Sequence, residues 1–296
     1  MHNKQPKPFL KWAGGKTQLL GSIQTHFPYS KENKFVYIEP FVGSGAVLFW
    51  VLNNYPNIQN AVINDINTDL ITTYTIVKTD VKRLVKILKE WESEYHKLAE
   101  LQELKKEYYY SKRDLFNERC SDDTTQASLF IFLNRTCFNG LYRVNKRNKF
   151  NVPIGSYKTP MICDKDNLYL VSGILKNVHF LNGDFEDTKQ YADENTFFYL
   201  DPPYKPVSKT SSFNSYAKGS FNDDEQKRLN RFCAKLSSEG HRFLLSNSDV
   251  KGKDVQDDDF FDRLYRDFKI ERVSARRNIN SKSSKRGYLT ELLISN

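Results

Sequence analysis

Short apolar runs alternate with amphipathic stretches along this chain, and the alternation divides it into three zones. In the first, up to residue 66, residues 36–39 (VYIE) read as a buried strand, 46–53 as a helix and 61–63 (AVI) as a second strand. Gly43 and Gly45 punctuate the passage from strand to helix. Strand, glycine turn, helix and strand make a βαβ unit, which implies parallel pairing in an α/β sheet. In the second zone, 67–164, Val81, Leu84, Val85, Leu88, Trp91, Tyr95, Leu98 and Leu101 recur at three- and four-residue steps. That period predicts a long amphipathic helical region whose apolar face packs on the rest of the protein. The third zone returns to short strands at 178–181, 197–200, 243–245 and 289–294, with a helix over 223–237. The expected fold is an α/β sheet built from 1–66 and 165–296 and split by a helical, basic insertion at 67–164.

Charge narrows the partner. The 296 residues carry 45 Lys+Arg against 36 Asp+Glu, a formal excess of +9, which favours a polyanion. The longest uninterrupted apolar run, 46–52, is seven residues, far short of the about 20 that a membrane-spanning helix needs. The N-terminus lacks the apolar core of a secretory signal. Cys120, Cys137, Cys163 and Cys233 are scattered without a CxxC. Reduced thiols in a cytoplasmic protein are therefore expected, not a disulfide framework or a cysteine-rich zinc site.

Two strand ends carry candidate chemistry. Glu39-Pro40-Phe41-Val42-Gly43-Ser44-Gly45 follows a strand and opens a helix. Its glycines let backbone approach a ligand, and the helix start offers free N–H groups. Asp65 ends the next strand twenty residues beyond Gly45. An acid so placed in a doubly wound sheet can accept hydrogen bonds from ribose hydroxyls. Together they point to an adenosine-containing cofactor. NAD stays open on this motif alone, although the full GxGxxG is missing. Asp201-Pro202-Pro203-Tyr204 ends the strand at 197–200. Its two prolines fix the backbone and remove two N–H donors. What remains is an acceptor-rich corner of the Asp201 carboxylate and the Pro202 carbonyl, suited to the two N–H donors of an exocyclic amine such as adenine N6. Tyr204 can stack on the base. Near the N-terminus, Lys11-Trp12-Ala13-Gly14-Gly15-Lys16 offers a tight turn, a purine-stacking indole and a cation for a carboxylate or phosphate. Ser246-Asn247 reads as a polar strand end on the same edge.

Residues 134–158 carry six basic side chains and no acidic one. Within them Phe138-Asn139-Gly140-Leu141-Tyr142-Arg143 places Asn-Gly between apolar residues, the strongest short-range hairpin signal. A two-stranded ribbon closed at Asn139-Gly140 is expected, with Arg143 just beyond the turn. Such a ribbon fits the DNA major groove, where arginine reads guanine. Phe138 at a loop tip suits a wedge between base pairs. The basic stretch 269–286 is a phosphate contact or a solvated surface. The acidic stretch 249–259 has no functional account.

KWAGGK, EPFVGSG, the Asp65 strand end, FNGLYRVN with FNVP (150–153), LDPPY and FNSY (213–216) occur in one order. In this the chain resembles the Dam-type, GATC-modifying DNA adenine-N6 methyltransferases over nearly its whole length. The resemblance implies S-adenosylmethionine (SAM) as methyl donor and a Rossmann-like catalytic sheet formed by 1–66 and 165–296. It makes 67–164 the inserted helical and β-hairpin target-recognition domain. It implies cofactor contacts at Trp12, Lys16, Asp65 and Asp201, with Glu39, Phe41, Gly43 and Gly45 in the glycine turn and Asp184 and Phe185 near the cofactor adenine. Asp201, Pro202, Pro203 and Tyr204 become the catalytic tetrad and Arg143 the guanine reader. Phe138, Asn139 and Leu141 would intercalate or touch neighbouring bases, Lys11 the first base pair, and Arg135, Asn145 and Pro153 complete the DNA face. The expected partner is double-stranded DNA, bound by a monomer in the cytoplasm of a bacterium or phage-infected cell, with no metal and no membrane. RNA adenine or protein-amide methylation, and a non-catalytic DNA-binding protein with a relic pocket, are the rival readings.

Overall fold

The structure is a computed structural model that describes residues 4–204, 221–249, 259–276 and 288–296. Among these, seven strands form one sheet: β1 (Phe35–Glu39), β2 (Ile58–Asn64), β3 (Val178–Leu181), β4 (Thr196–Leu200), β5 (Arg242–Ser248), β6 (Lys269–Arg276) and β7 (Tyr288–Ser295). Their order is β3-β2-β1-β4-β5-β7-β6. The first five run parallel and β7 is inserted antiparallel between β5 and β6. The chain reverses its winding between β1 and β4, and the carboxyl ends of strands at such a switch are where open α/β sheets bind ligands. The helices are α1 (Leu20–Thr25), α2 (Ala46–Asn54), α3 (Thr68–Thr79), α4 (Val81–Lys97), α5 (Gln102–Glu118), α6 (Asp123–Thr136), α7 (Lys165–Ile174), α8 (Asp223–Ser238) and α9 (Phe260–Leu264).

Every residue of β1 and β4 is buried, as expected for central parallel strands covered on both faces. Successive side chains of β1 alternate between two apolar clusters, Phe35 and Tyr37 on one face and Val36 and Ile38 on the other. Helix α8 covers the second face through Leu229, Phe232 and Leu236. The first face continues without a break from the sheet through Tyr74 of α3 to Phe130 and Phe132 of α6. The helical segment therefore has no apolar core separate from that of the sheet.

The βαβ unit, the α/β class and all of the expected strands are present. The amphipathic stretch is helix α4, buried at Leu84, Val85, Leu88 and Tyr95, but it stops at Lys97 and leaves Leu101 51% exposed. The basic stretch at 269–286 begins as a strand, since β6 pairs with β7 from Lys269↔Ser295 to Arg276↔Tyr288. Its remainder, the FNSY motif at 213–216 and 250–258 of the acidic stretch lie outside the described residues. No helix among the described residues is long and apolar enough to cross a membrane.

The hairpin differs from expectation. Asn139 and Gly140 do form a left-handed turn, at φ of 54° and 64°, closed by the Leu141 amide on the Phe138 carbonyl at 3.2 Å. It does not join two paired strands. Cys137 bridges to Ile154 and Val144 to Phe150, so the turn is a bump within one arm. The chain reverses at 145–149, where the Asn145 side chain accepts from the Arg147 and Lys149 amides at 2.9 and 3.1 Å and Asn148 takes φ of 58°. Asparagine side chains capture nearby backbone amides in this way, and here that local bonding outcompetes Asn-Gly for the reversal.

Gly45 lies at φ of 73°, and a Cβ there would stand 2.6 Å from the Tyr74 hydroxyl and 3.1 Å from Phe49. Gly45→Ala is expected to destabilise by about 1–3 kcal/mol, from left-handed strain and crowding together. Urea unfolding with an unchanged midpoint would remove this constraint.

Candidate active site

The glycine turn leaves β1 at its carboxyl end and enters α2, and its backbone is held from below by α3 and β2. The Tyr74 hydroxyl donates to the Gly43 carbonyl at 3.2 Å. Asn64 donates to the carbonyls of Pro40 (3.0 Å) and Gly183 (3.1 Å), tying together the loops after β1 and β3. Asp65, next in the chain, accepts from the Gly43 amide at 3.2 Å on one oxygen and from the Asn67 amide at 2.9 Å on the other. Burial pushes its carboxyl up to about 6, with the two amide bonds pulling the other way. Ile66, which sequence reasoning passed over, is 71% exposed directly beside it. Its place just beyond the carboxyl end of β2 is where open α/β sheets bind ligands.

Glu39 is turned inward. It is buried, accepts from the Tyr37 hydroxyl at 2.7 Å, and burial raises its carboxyl well above the usual range. Phe41 stacks towards Phe185 with ring centres 5.3 Å apart. Asp184 caps the short helix that follows it by accepting from the Glu186 amide, and forms an ion pair with Arg228 of α8. The Arg228 guanidinium lies 4.4 Å from the centre of the buried Phe185 ring. Arg228 carries no motif signal, because it meets Asp184 only through tertiary packing.

The Asp201 corner is denser than the sequence suggests. Lys16, 3% exposed, places its ammonium 2.9 Å from the Asp201 carboxylate, 2.5 Å from the Tyr204 hydroxyl and 2.9 Å from the Gly14 carbonyl. Glu291 of β7 accepts from the Tyr204 hydroxyl at 2.6 Å and stands 3.8 Å from the same ammonium. Ser246 of β5 donates to the Asp201 oxygen that faces Lys16, at 3.1 Å, and bonds the Tyr199 hydroxyl at 2.9 Å. Among the described residues no hydrogen bond is made to the other Asp201 oxygen, Oδ2. Burial raises the Asp201 carboxyl above its ordinary value while the Lys16 ammonium draws it down. Burial and the two nearby carboxylates keep the Tyr204 hydroxyl protonated, so it remains a donor. Two acidic side chains, Asp201 and Glu291, thus face one buried ammonium. Glu291, the missed member, sits in a strand without any flanking motif.

The expected DNA-facing residues divide into three groups. Phe138, Asn139 and Pro153 are exposed together, joined by the Phe138 amide on the Pro153 carbonyl at 2.9 Å. Asn145 lies at the exposed reversal among Lys146, Arg147 and Lys149. Lys11, Leu141 and Arg143 are half-buried. Lys11 holds its ammonium 3.9 Å from the Tyr157 ring centre. Arg143 donates from Nε to the Asn151 side chain at 2.7 Å and from a terminal nitrogen to the Asn151 carbonyl at 3.3 Å. Arg135 is turned inward, where it donates to the Phe9 carbonyl at 2.7 Å. Trp12 stacks on Tyr142 at 5.9 Å, and a Cβ on Gly43 would lie 3.0 Å from its indole nitrogen, so the hairpin lies close to the glycine turn.

The Asp65 carboxyl sets a pH signature. It titrates near 6 in the folded chain and at about 3.9 when unfolded. Between those values the folded state holds a proton that the unfolded state has lost, so stability from this group falls as pH rises. The difference in unfolding free energy between Asp65→Asn and the native protein should shift in the variant's favour from about pH 4 to 6 and stay level above. Denaturant curves with a constant difference across that window would contradict the shift.

Residues 12–279 match the family model described as D12 class N6 adenine-specific DNA methyltransferase. The chain is 50% identical over 295 residues to the type II methyltransferase M.MjaIII of Methanocaldococcus jannaschii, covering 98% of this chain and 99% of that protein. It is 38% identical over 295 residues to the type II methyltransferase M1.LlaDCHI of Lactococcus lactis subsp. cremoris, covering 98% and 95%. It is 35% identical over 290 residues to the DNA adenine methylase of Haemophilus influenzae, covering 97% and 92%. The motifs, the sheet and these matches lead to one assignment: the chain belongs to the D12 class of N6 adenine-specific DNA methyltransferases.

Proposed function

We propose that the enzyme methylates N6 of an adenine flipped out of duplex DNA, within GATC, using SAM. The observation that carries the reading is the corner at Asp201. One carboxylate oxygen is fixed by Lys16 and Ser246 while the other is left for a donor. Adenine N6 offers two N–H donors, and Asp201 Oδ2 with the Pro202 carbonyl supplies two acceptors. This arrangement directs the nitrogen lone pair outward. Paired adenine cannot reach such a corner, so the base leaves the stack. Tyr204, its hydroxyl anchored by Glu291 and Lys16, supplies a ring for stacking.

The residues present suit SAM. The acidic side chains of Asp201 and Glu291 around the corner suit a sulfonium, Asp65 offers a carboxylate for ribose hydroxyls, and Ile66 and the Phe41–Phe185 pair offer apolar walls. When bound, SAM supplies an electrophilic methyl group. The chain's own residues hold the amine and exclude competing partners, so much of the rate comes from orientation. A dedicated general base is unnecessary, since the methylated amine is strongly acidic until it loses its proton. Asp201 need only stay ionised and accept.

On the DNA side, we assign target recognition to 67–164. Lys146, Arg147 and Lys149 at the exposed reversal suit phosphates, which makes affinity fall with salt. Asn151 occupies one edge of the Arg143 guanidinium, and the remaining N–H groups suit guanine O6 and N7. Relatives named DNA adenine methylase support the Dam-type reading and with it GATC.

Incubation of plasmid with labelled SAM, then digestion by enzymes sensitive to or dependent on adenine methylation at GATC, tests the reading directly. Methyl incorporation elsewhere, or none, overturns it. Asp201→Ala should lower turnover by about 10²–10³-fold or more with the fold retained; substantial turnover would remove its role. Arg143→Ala should lose about 1–3 kcal/mol of discrimination at one guanine, read as relaxed protection of near-cognate sites.

A further inference from the structure

Asn134, in the last turn of α6, is 3% exposed and touches neither the corner nor the exposed DNA face. Its side chain makes three hydrogen bonds. Oδ1 accepts from the Lys11 amide at 2.8 Å, and Nδ2 donates to the Lys11 carbonyl at 2.8 Å and to the Gly140 carbonyl at 3.0 Å. One buried amide therefore clamps both backbone groups of Lys11 and one carbonyl of the Asn139-Gly140 turn. Buried amides of this kind are costly to leave unpaired, so they fix the segments they join.

Those two segments lead to different ligands in the reading above, on which this inference rests: Lys11 itself is expected at the first base pair, but Trp12 and Lys16 beyond it face the cofactor. Lys11 leads directly into Trp12 and into Lys16, which lies against Asp201. Gly140 belongs to the turn that displays Phe138 and Asn139. The packing at this junction is close. A Cβ on Gly140 would lie 2.5 Å from both Cβ and Cδ of Lys11, so the turn cannot move without moving the strap or breaking contact. A second contact runs in parallel, with Trp12 stacked on Tyr142, the neighbour of Arg143.

We propose that Asn134 is a positioning residue that couples the two sites. Order imposed on the recognition turn by cognate DNA is transmitted to the strap carrying Trp12 and Lys16, and order imposed by the cofactor returns to the turn. Linkage requires this effect to be reciprocal. Asn117 of α5 supplies an internal control. It holds the same hairpin by accepting from the Phe150 amide at 2.7 Å and donating to the Phe150 carbonyl at 3.0 Å, and among the described residues its side chain makes no hydrogen bond to the strap.

The test is binding, read by fluorescence anisotropy of a labelled GATC duplex with and without sinefungin, a SAM analogue with no methyl group to transfer. In the native enzyme sinefungin should tighten the duplex by about fivefold or more. In Asn134→Ala that factor should fall below about twofold, whereas Asn117→Ala should weaken the duplex and keep the factor. Retention of the factor in Asn134→Ala, its absence from the native enzyme, or its loss in Asn117→Ala each overturns the proposal. Hydrogen exchange on the native enzyme gives the same answer without a variant. Sinefungin should slow exchange at 138–141 and cognate duplex should slow it at 12–16; protection confined to each ligand's own segment overturns the coupling. Methyl transfer by the native enzyme is scored separately, so failure there sinks the functional reading and leaves these outcomes to judge Asn134 alone.

Discussion

The ammonium of Lys16 is the contact on which the site depends. A buried cation survives only with partners, and here it has the Asp201 carboxylate, the Tyr204 hydroxyl, the Gly14 carbonyl and, slightly farther, Glu291. These partners come from the N-terminal turn, the end of β4 and the middle of β7. The ion pair thus does two jobs. It sets which oxygen of Asp201 is spent and which remains, and it binds the strap of residues 11–16 to the sheet. Removing one partner of such a pair costs more than the pair's net worth, because a charge is left buried alone.

The same logic explains why the corner is acidic in a basic protein. Three exposed basic side chains, Lys146, Arg147 and Lys149, stand at the reversal at 145–149, while the interior of the site carries two acidic side chains around one ammonium. Positive potential at the rim suits a polyanion, and negative potential within suits a cation. Separation of the two over one continuous apolar core lets a single fold address both.

The fold was largely legible from the sequence, because buried parallel strands and amphipathic helices leave periodic signals. The βαβ unit, DPPY at a strand end and Asp65 all lay where the pattern put them. What escaped shares a physical cause. Glu291, Arg228 and Asn134 matter through partners that are 87, 44 and 123 residues away, and no local pattern encodes a tertiary contact. The hairpin failed for a different reason. Asn-Gly adopted the expected left-handed turn, but a competing side-chain turn at Asn145 decided where the chain reversed. Arg135, which the resemblance places on the DNA face, donates to the Phe9 carbonyl.

The antiparallel insertion of β7 beside β5 has a consequence for assembly. Glu291 reaches Tyr204 across 87 positions, and Lys16 lies at the opposite end of the chain from it. Contacts between such distant positions close the largest loops in the polypeptide and therefore form late. The parallel pairing of β1 with β4 joins Val36 to Thr196, itself a long-range contact, so the corner gathers its two acids only when both β4 and β7 are in place. Assembly of the corner therefore depends on the whole sheet closing, and local opening of β7 would take its second acid away.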